Sequence, residues 1–188
     1  MRPMSAQAVC ERYGNRAQFL QTFAVAEQFR HTSVPERCVL GSAPTLSEVD
    51  AAYGEGTSVE WLLYQFTELA ESVGARDKLN RWQMLQLSRS FTRDYGWMKV
   101  TDIELYLQRL KSGTYGHFYG TVDTQQILEN VKWYIQERNY IMGEAIRREE
   151  QERRDHMMDG TVTWEEYKAL NPEAKYNPLE LFRMKNDE

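Results

Sequence analysis

The sequence predicts an all-α protein, a compact multi-helix bundle with a projecting charged C-terminal helix. Apolar residues recur at three- and four-residue steps through most of the 188 residues, the spacing that gathers them on one helix face. Sustained apolar–polar alternation, the mark of a half-buried strand, is missing. Helix-start residues precede the periodic runs and glycines follow them.

From about Ser5 to Thr32 the spacing gives two helices broken at Gly14, with Phe19, Phe23, Ala26 and Arg30 on one face. Val34 to Pro44 holds Pro35, Gly41, Ser42 and Pro44 and reads as a linker. Thr45-Leu-Ser-Glu48 has the form of a capping box, in which threonine accepts a first-turn amide and glutamate reaches back. The short helix it opens stops at Gly54. Thr57 or Ser58 caps the next, which carries Trp61, Leu62, Phe66, Leu69 and Val73 inward and ends at Gly74. A third, near Asp77 to Tyr95, buries Met84, Leu87, Phe91 and Tyr95. Thr101-Asp-Ile-Glu104 reads as a second capping box, opening a helix with Ile103, Tyr106, Leu107 and Leu110 inward as far as Gly113.

Asp123 or Thr124 then caps a long helix with Ile127, Val131, Tyr134, Ile135, Arg138 and Ile141 on its buried stripe. From Glu144 to Asp155 the stripe gives way to acidic and basic residues on every side. Such a helix leaves a core and is held by acid–base pairs one turn apart. A short helix from Trp164 to Leu170 and a polar tail follow. Three regions result: 1–43, an N-terminal helical extension and linker; 44–141, the helical core domain; and 142–188, the charged helix and tail.

Composition narrows the function classes. An apolar share of 41 % suffices for one core, and the net charge of −5 gives no global attraction to a polyanion. The mean hydropathy is −0.68. No run approaches the roughly 20 apolar residues of a membrane helix. Cys10 and Cys38 lack metal-site spacing and no secretory leader precedes them, so a cytoplasmic protein with reduced thiols is expected.

The most distinctive stretch is the joint Lys111–Asp123, where Gly113, Gly116 and Gly120 alternate with Tyr115, His117, Phe118 and Tyr119. Its spacing matches neither a Walker loop nor a dinucleotide fingerprint. Packing, with rings fixing the angle between two helices, stands against a contact role in which Lys111 and the rings meet a ligand or partner. A second candidate is a basic surplus from Arg76 to Lys111, eight cations against four acids. Arg81, Arg89 and Arg93 share one side of a helix there and would meet phosphates, with Trp82 and Trp97 for stacking; the alternative is a solvated face. Asp155 to Glu166 has the outline of an EF-hand loop, but Met157 occupies a ligand position where calcium needs a hard oxygen. An Asp-Gly turn followed by a new helix explains the same residues. His31, His117 and His156 belong to no nucleophile or zinc pattern, and His31 and His156 read as solvated. No catalytic residue, metal or cofactor is therefore assigned.

Thr45–Val49 with Tyr53-Gly54, Val59–Leu63, Trp82-Gln83, the joint Gly113–Asp123, Ile127, Tyr134 and Glu137-Arg138 together resemble a family of helical proteins of unknown function. That family occurs in anaerobic gut bacteria of the Bacteroidales type and in their phages and conjugative elements. The resemblance spans Thr45 to Arg138 and leaves the charged arm outside. It implies a mobile-element setting and carries over no functional residue. The expectation is a noncatalytic adaptor acting through protein contacts in DNA replication or transfer, with self-association through the charged helix. Direct nucleic-acid binding through the basic helical surface is the alternative.

Overall fold

Backbone capping sets where the chain turns helical, and a computed structural model describes residues 3–73, 79–118, 121–159 and 164–173. Ser5 accepts the Ala8 amide to open α1 (Ala6–Tyr13), and an Asn15–Gln18 capping box opens α2 (Arg16–Thr22). A 3₁₀ turn at Val25–Glu27 then leads into α3 (Gln28–His31). That turn shifts the helical phase. Phe19 and Phe23 are buried as expected, but Ala26 and Arg30 face solvent and Gln28 takes the inward position. The stretch read as a linker contains α4 (Pro35–Leu40), with proline at its first position and Cys38 and Val39 buried.

The Thr45–Glu48 capping box forms. Glu48 donates its amide to Thr45 Oγ1 at 3.2 Å and accepts the Thr45 amide at 2.7 Å, opening α5 (Leu46–Tyr53). The next helix, α6 (Thr57–Ser72), is capped from a distance: Asp50 of α5 accepts both the amide and the hydroxyl of Ser58, at 2.8 and 2.7 Å. Asn80 and Gln83 form the box that opens α7 (Arg81–Tyr95). Gly74 and the start expected at Asp77 lie outside the described residues.

The second capping box does not form. Helix α8 (Val100–Lys111) begins earlier, because Leu46 donates to Met98 O at 3.0 Å and Val100 to Pro44 O at 2.9 Å, pinning the chain there in an isolated antiparallel bridge. Asp102 accepts the Lys99 amide at 3.3 Å, Thr101 donates its hydroxyl to Cys38 O at 2.8 Å, and Glu104 is buried. Helix α9 (Thr124–Asp159) opens with Asp123 accepting the Gln125 amide at 3.0 Å and runs unbroken through the charged stretch. Helix α10 (Trp164–Leu170) has the bounds its sequence predicts.

The chain divides into two compact units, Met1–Gly143 and Glu144–Glu188. In the first, α6 packs on α7, α1 on α5, and both α3 and α4 on α8. Trp61, Phe66, Phe91, Tyr106 and Tyr134 fill the core. Burying a ring of this size removes roughly 150–250 Å² from water, and this dominates the stability of the layer. In the second unit residues 146–156 are exposed, Arg147 pairs with Glu144 one turn away, and Trp164 stacks on Tyr167 at 5.8 Å. Among the described residues no helix is long and apolar enough to cross a membrane, and an all-α bundle is the fold.

Candidate functional site

The joint is bonded to the helices on either side of it. Tyr115 lies nearly parallel to the buried Tyr106 ring, with centroids 6.3 Å apart, and donates its hydroxyl to Glu137 of α9. The other oxygen of Glu137 accepts from Arg109 Nη2 at 2.7 Å and Nε at 3.0 Å. Burial first and the Glu137 carboxylate second push the Tyr115 phenol well above its ordinary value, so it stays a donor. Phe118 packs against the core edge, and His117, exposed, accepts a 3.3 Å bond on its carbonyl from Gln126. Gly113 has φ +71°, and a Cβ there would meet the His117 ring at 2.5 Å; Gly116 has φ +110° with open space around it. Both positions favour glycine on backbone grounds alone. Tyr119 and Gly120 lie outside the described residues. Lys111 pairs with Glu68 of α6 and donates to Gln28 of α3.

The basic surplus is largely spent within the fold. Arg93 pairs with Asp94 at 2.7 Å, Arg109 with Glu137, and Lys111 with Glu68. The Lys99 ammonium is buried and donates to the carbonyls of Val39 and Gly41 at 2.6 Å each. Arg76 and Lys78 lie outside the described residues. Arg81 and Arg89 remain exposed on α7. They line two grooves of about 640 and 790 Å³ against α6, whose walls also bear Glu60, Glu71 and Glu55. Trp82 beside them is exposed, and Trp97 lies under the Arg138 guanidinium at 5.1 Å.

Two features escaped the sequence reading. Glu104, read as part of a capping box, and His31, read as solvated, meet in the interior: Nδ1 of His31 sits 2.8 Å from Glu104 Oε2, and the glutamate side chain is 0 % exposed. Among the described residues its other oxygen has no hydrogen-bond partner. Burial pushes the Glu104 carboxyl above its ordinary value, while the hydrogen bond that the His31 imidazole donates to Glu104 pushes the imidazole up. Cys38 beside them donates its thiol to His31 O at 3.3 Å and is pushed up to about 12 by burial, so it is a thiol and not a nucleophile.

The other feature is the outer face of α9. Trp133 and Tyr140, seven residues apart, are 47 % and 66 % exposed and share a stripe with Glu129 and Gln136. The Lys132 ammonium lies 5.4 Å from the Trp133 ring. The signal was available in the sequence: the period that turns Tyr134 inward turns Trp133 outward.

Among the described residues no group of three or more His, Cys, Asp or Glu side chains is placed to hold a metal ion. Residues 160–163, at the centre of the EF-hand-like segment, lie outside the described residues. Residues 79–175 match the family of unknown function DUF6633, and the chain belongs to that family. The match takes in the charged stretch of α9, which the resemblance had left out, and begins after Lys78. No curated protein and no solved structure gives a significant match to the chain.

Proposed function

We propose that the chain is a noncatalytic accessory protein of a phage or conjugative element that works by gripping another protein in DNA replication or transfer. The observation that carries this is the pair of exposed rings on α9, Trp133 and Tyr140, held in register on a rigid helix. Tryptophan and tyrosine are the residues most enriched where protein interfaces concentrate their binding energy, because each offers large area at small entropic cost. The mobile-element setting rests on the resemblance borne by Thr45–Val49 and the joint, and the genes adjacent to this one test it.

Direct nucleic-acid binding ranks second. Salt-sensitive affinity scales with the number of phosphates neutralised, and of the described cations between Arg81 and Lys111 only Arg81 and Arg89 face solvent without an acidic or carbonyl partner. A photoreactive amino acid at Tyr140, activated in the native host and followed by nuclease digestion, separates the two. The contact reading expects one defined protein adduct, lost in Trp133→Ala. Adducts to nucleic acid alone, with heparin retention that collapses in salt and depends on Arg81 and Arg89, would replace it with the rival. Self-association through Glu144 to Asp155 is part of the same proposal, and truncation before Glu144 must then lower the sedimenting mass beyond the residues removed.

A further inference from the structure

We propose that His31 and Glu104 form a proton-operated clamp: when protonated it holds the segment from Phe23 to Gly41 against α6 and α8, and on losing its proton it lets that segment open while α6 to α9 stay folded. The inference is independent of the α9 contact surface.

The seam beneath this segment is unusually polar for a buried one. The Phe23 carbonyl accepts from Trp61 Nε1 at 2.8 Å and Gln65 Nε2 at 3.0 Å, and Gln28 donates to Gln65 Oε1 at 3.0 Å. Lys111 donates to Gln28, and Thr101 to Cys38 O. Only Phe23, Cys38 and Val39 of the segment are apolar and fully buried. Its helices are short, four residues in α3 and six in α4. Such turns have almost no stability of their own and open at lower free energy than the core.

Glu104 is the least compensated group in the seam. A carboxylate taken out of water needs its oxygens satisfied, and among the described residues Glu104 has one polar partner, His31. The charged and titratable groups around the pair do not supply another. Glu27 and Arg30, on the segment itself, pair with each other at 3.0 Å. Cys38 of α4 donates to the His31 carbonyl. On α8, Lys111 is held by Glu68 of α6 and Gln28, while Asp102 and Arg109 are engaged by α9. A proton lost from the pair therefore leaves a buried charge without a cation in contact.

The sign follows from both groups being raised on folding. His31 stabilises the closed seam fully below its open-state value of 6.5, and this is lost as pH rises through its higher closed-state value. Glu104 acts in the same sense, with its contribution complete below 4.5 and lost as pH passes its raised value. The closed seam binds more protons than the open one, so alkaline pH opens it. Each pH unit between the open and closed values changes the opening equilibrium by up to about tenfold per proton.

Hydrogen exchange of the full chain between pH 5.5 and 8.5, corrected for intrinsic exchange rates, tests this. The expected result is that protection in 28–41 falls by about tenfold over that range while α6 and α8 keep theirs, and that Glu104→Gln abolishes the difference. Should Glu104→Gln fail to fold, Glu104→Gln combined with His31→Gln, which can hydrogen-bond amide to amide and leaves neither group to titrate, replaces it with the same expectation. Protection in 28–41 that tracks α6 and α8 at every pH, or a pH response retained in a folded variant, would overturn the clamp.

Discussion

Asp102 and Glu104 stand two residues apart on α8, both with side chains 0 % exposed, and their surroundings differ sharply. Two helical positions apart is about 200° around the axis, so they serve opposite neighbours. Asp102 faces α9, where the Tyr134 hydroxyl donates at 2.7 Å and Arg138 Nε at 3.3 Å, and it also accepts the Lys99 amide. Glu104 faces α3, with one histidine and an oxygen left over. A buried carboxylate with several donors fixes an interface; the same group with a single titratable donor makes the interface depend on the proton. The α8–α9 side is therefore the permanent half of the molecule and the α3–α8 side the conditional half.

The strongest way to break this contrast is Asp102→Ala. It strands the Tyr134 hydroxyl and the Arg138 guanidinium, and is expected to lower unfolding free energy by about 3–5 kcal/mol, seen as a lower urea midpoint with unchanged slope. A loss below about 1 kcal/mol would remove Asp102 as the fixed point. Next comes Gly113→Ala, at the end of α8. Left-handed backbone and the His117 ring together are expected to cost about 1–2 kcal/mol in the same assay, more than Gly116→Ala, where only the backbone objects. If Gly116→Ala proves the worse of the two, the joint is not held by the contact described.

Glu104→Gln is expected to lower stability by about 1 kcal/mol at pH 6, with the gap to the unaltered protein closing as pH rises to 8.5. A gap that widens with pH would reverse the assigned sign. The smallest effect on stability belongs to Trp133→Ala with Tyr140→Ala, on the outer face of α9, within about 0.5 kcal/mol by thermal melting. The same pair is expected to weaken partner capture by roughly thirtyfold or more. Lost stability with undiminished capture would make these rings structural.

Legibility in the sequence followed the locality of the forces. Thr45 with Glu48 and the period of Ile127, Val131 and Tyr134 are decided within a turn or two of helix, and the sequence reading found them; of the two caps it offered for α9, Asp123 and Thr124, Asp123 accepts the Gln125 amide. Thr101 to Glu104 carries the letters of a capping box, yet a long-range bridge to Pro44 and Leu46 moved the helix start and freed Glu104 for the interior. His31 and Glu104 are 73 residues apart, and nothing local distinguishes them from surface residues. The eight-to-four surplus of cations was visible; that Arg109 and Lys111 would be neutralised by Glu137 and Glu68, distant in sequence, was not.

One titration bears most directly on the conditional half of the molecule: the His31 ring followed by NMR across pH, in the unaltered chain and in Glu104→Gln. The expected midpoint lies above 6.5 in the unaltered chain and falls when the carboxylate is removed. A midpoint at or below 6.5 that Glu104→Gln leaves in place would contradict the pairing on which the contrast between Asp102 and Glu104 is built.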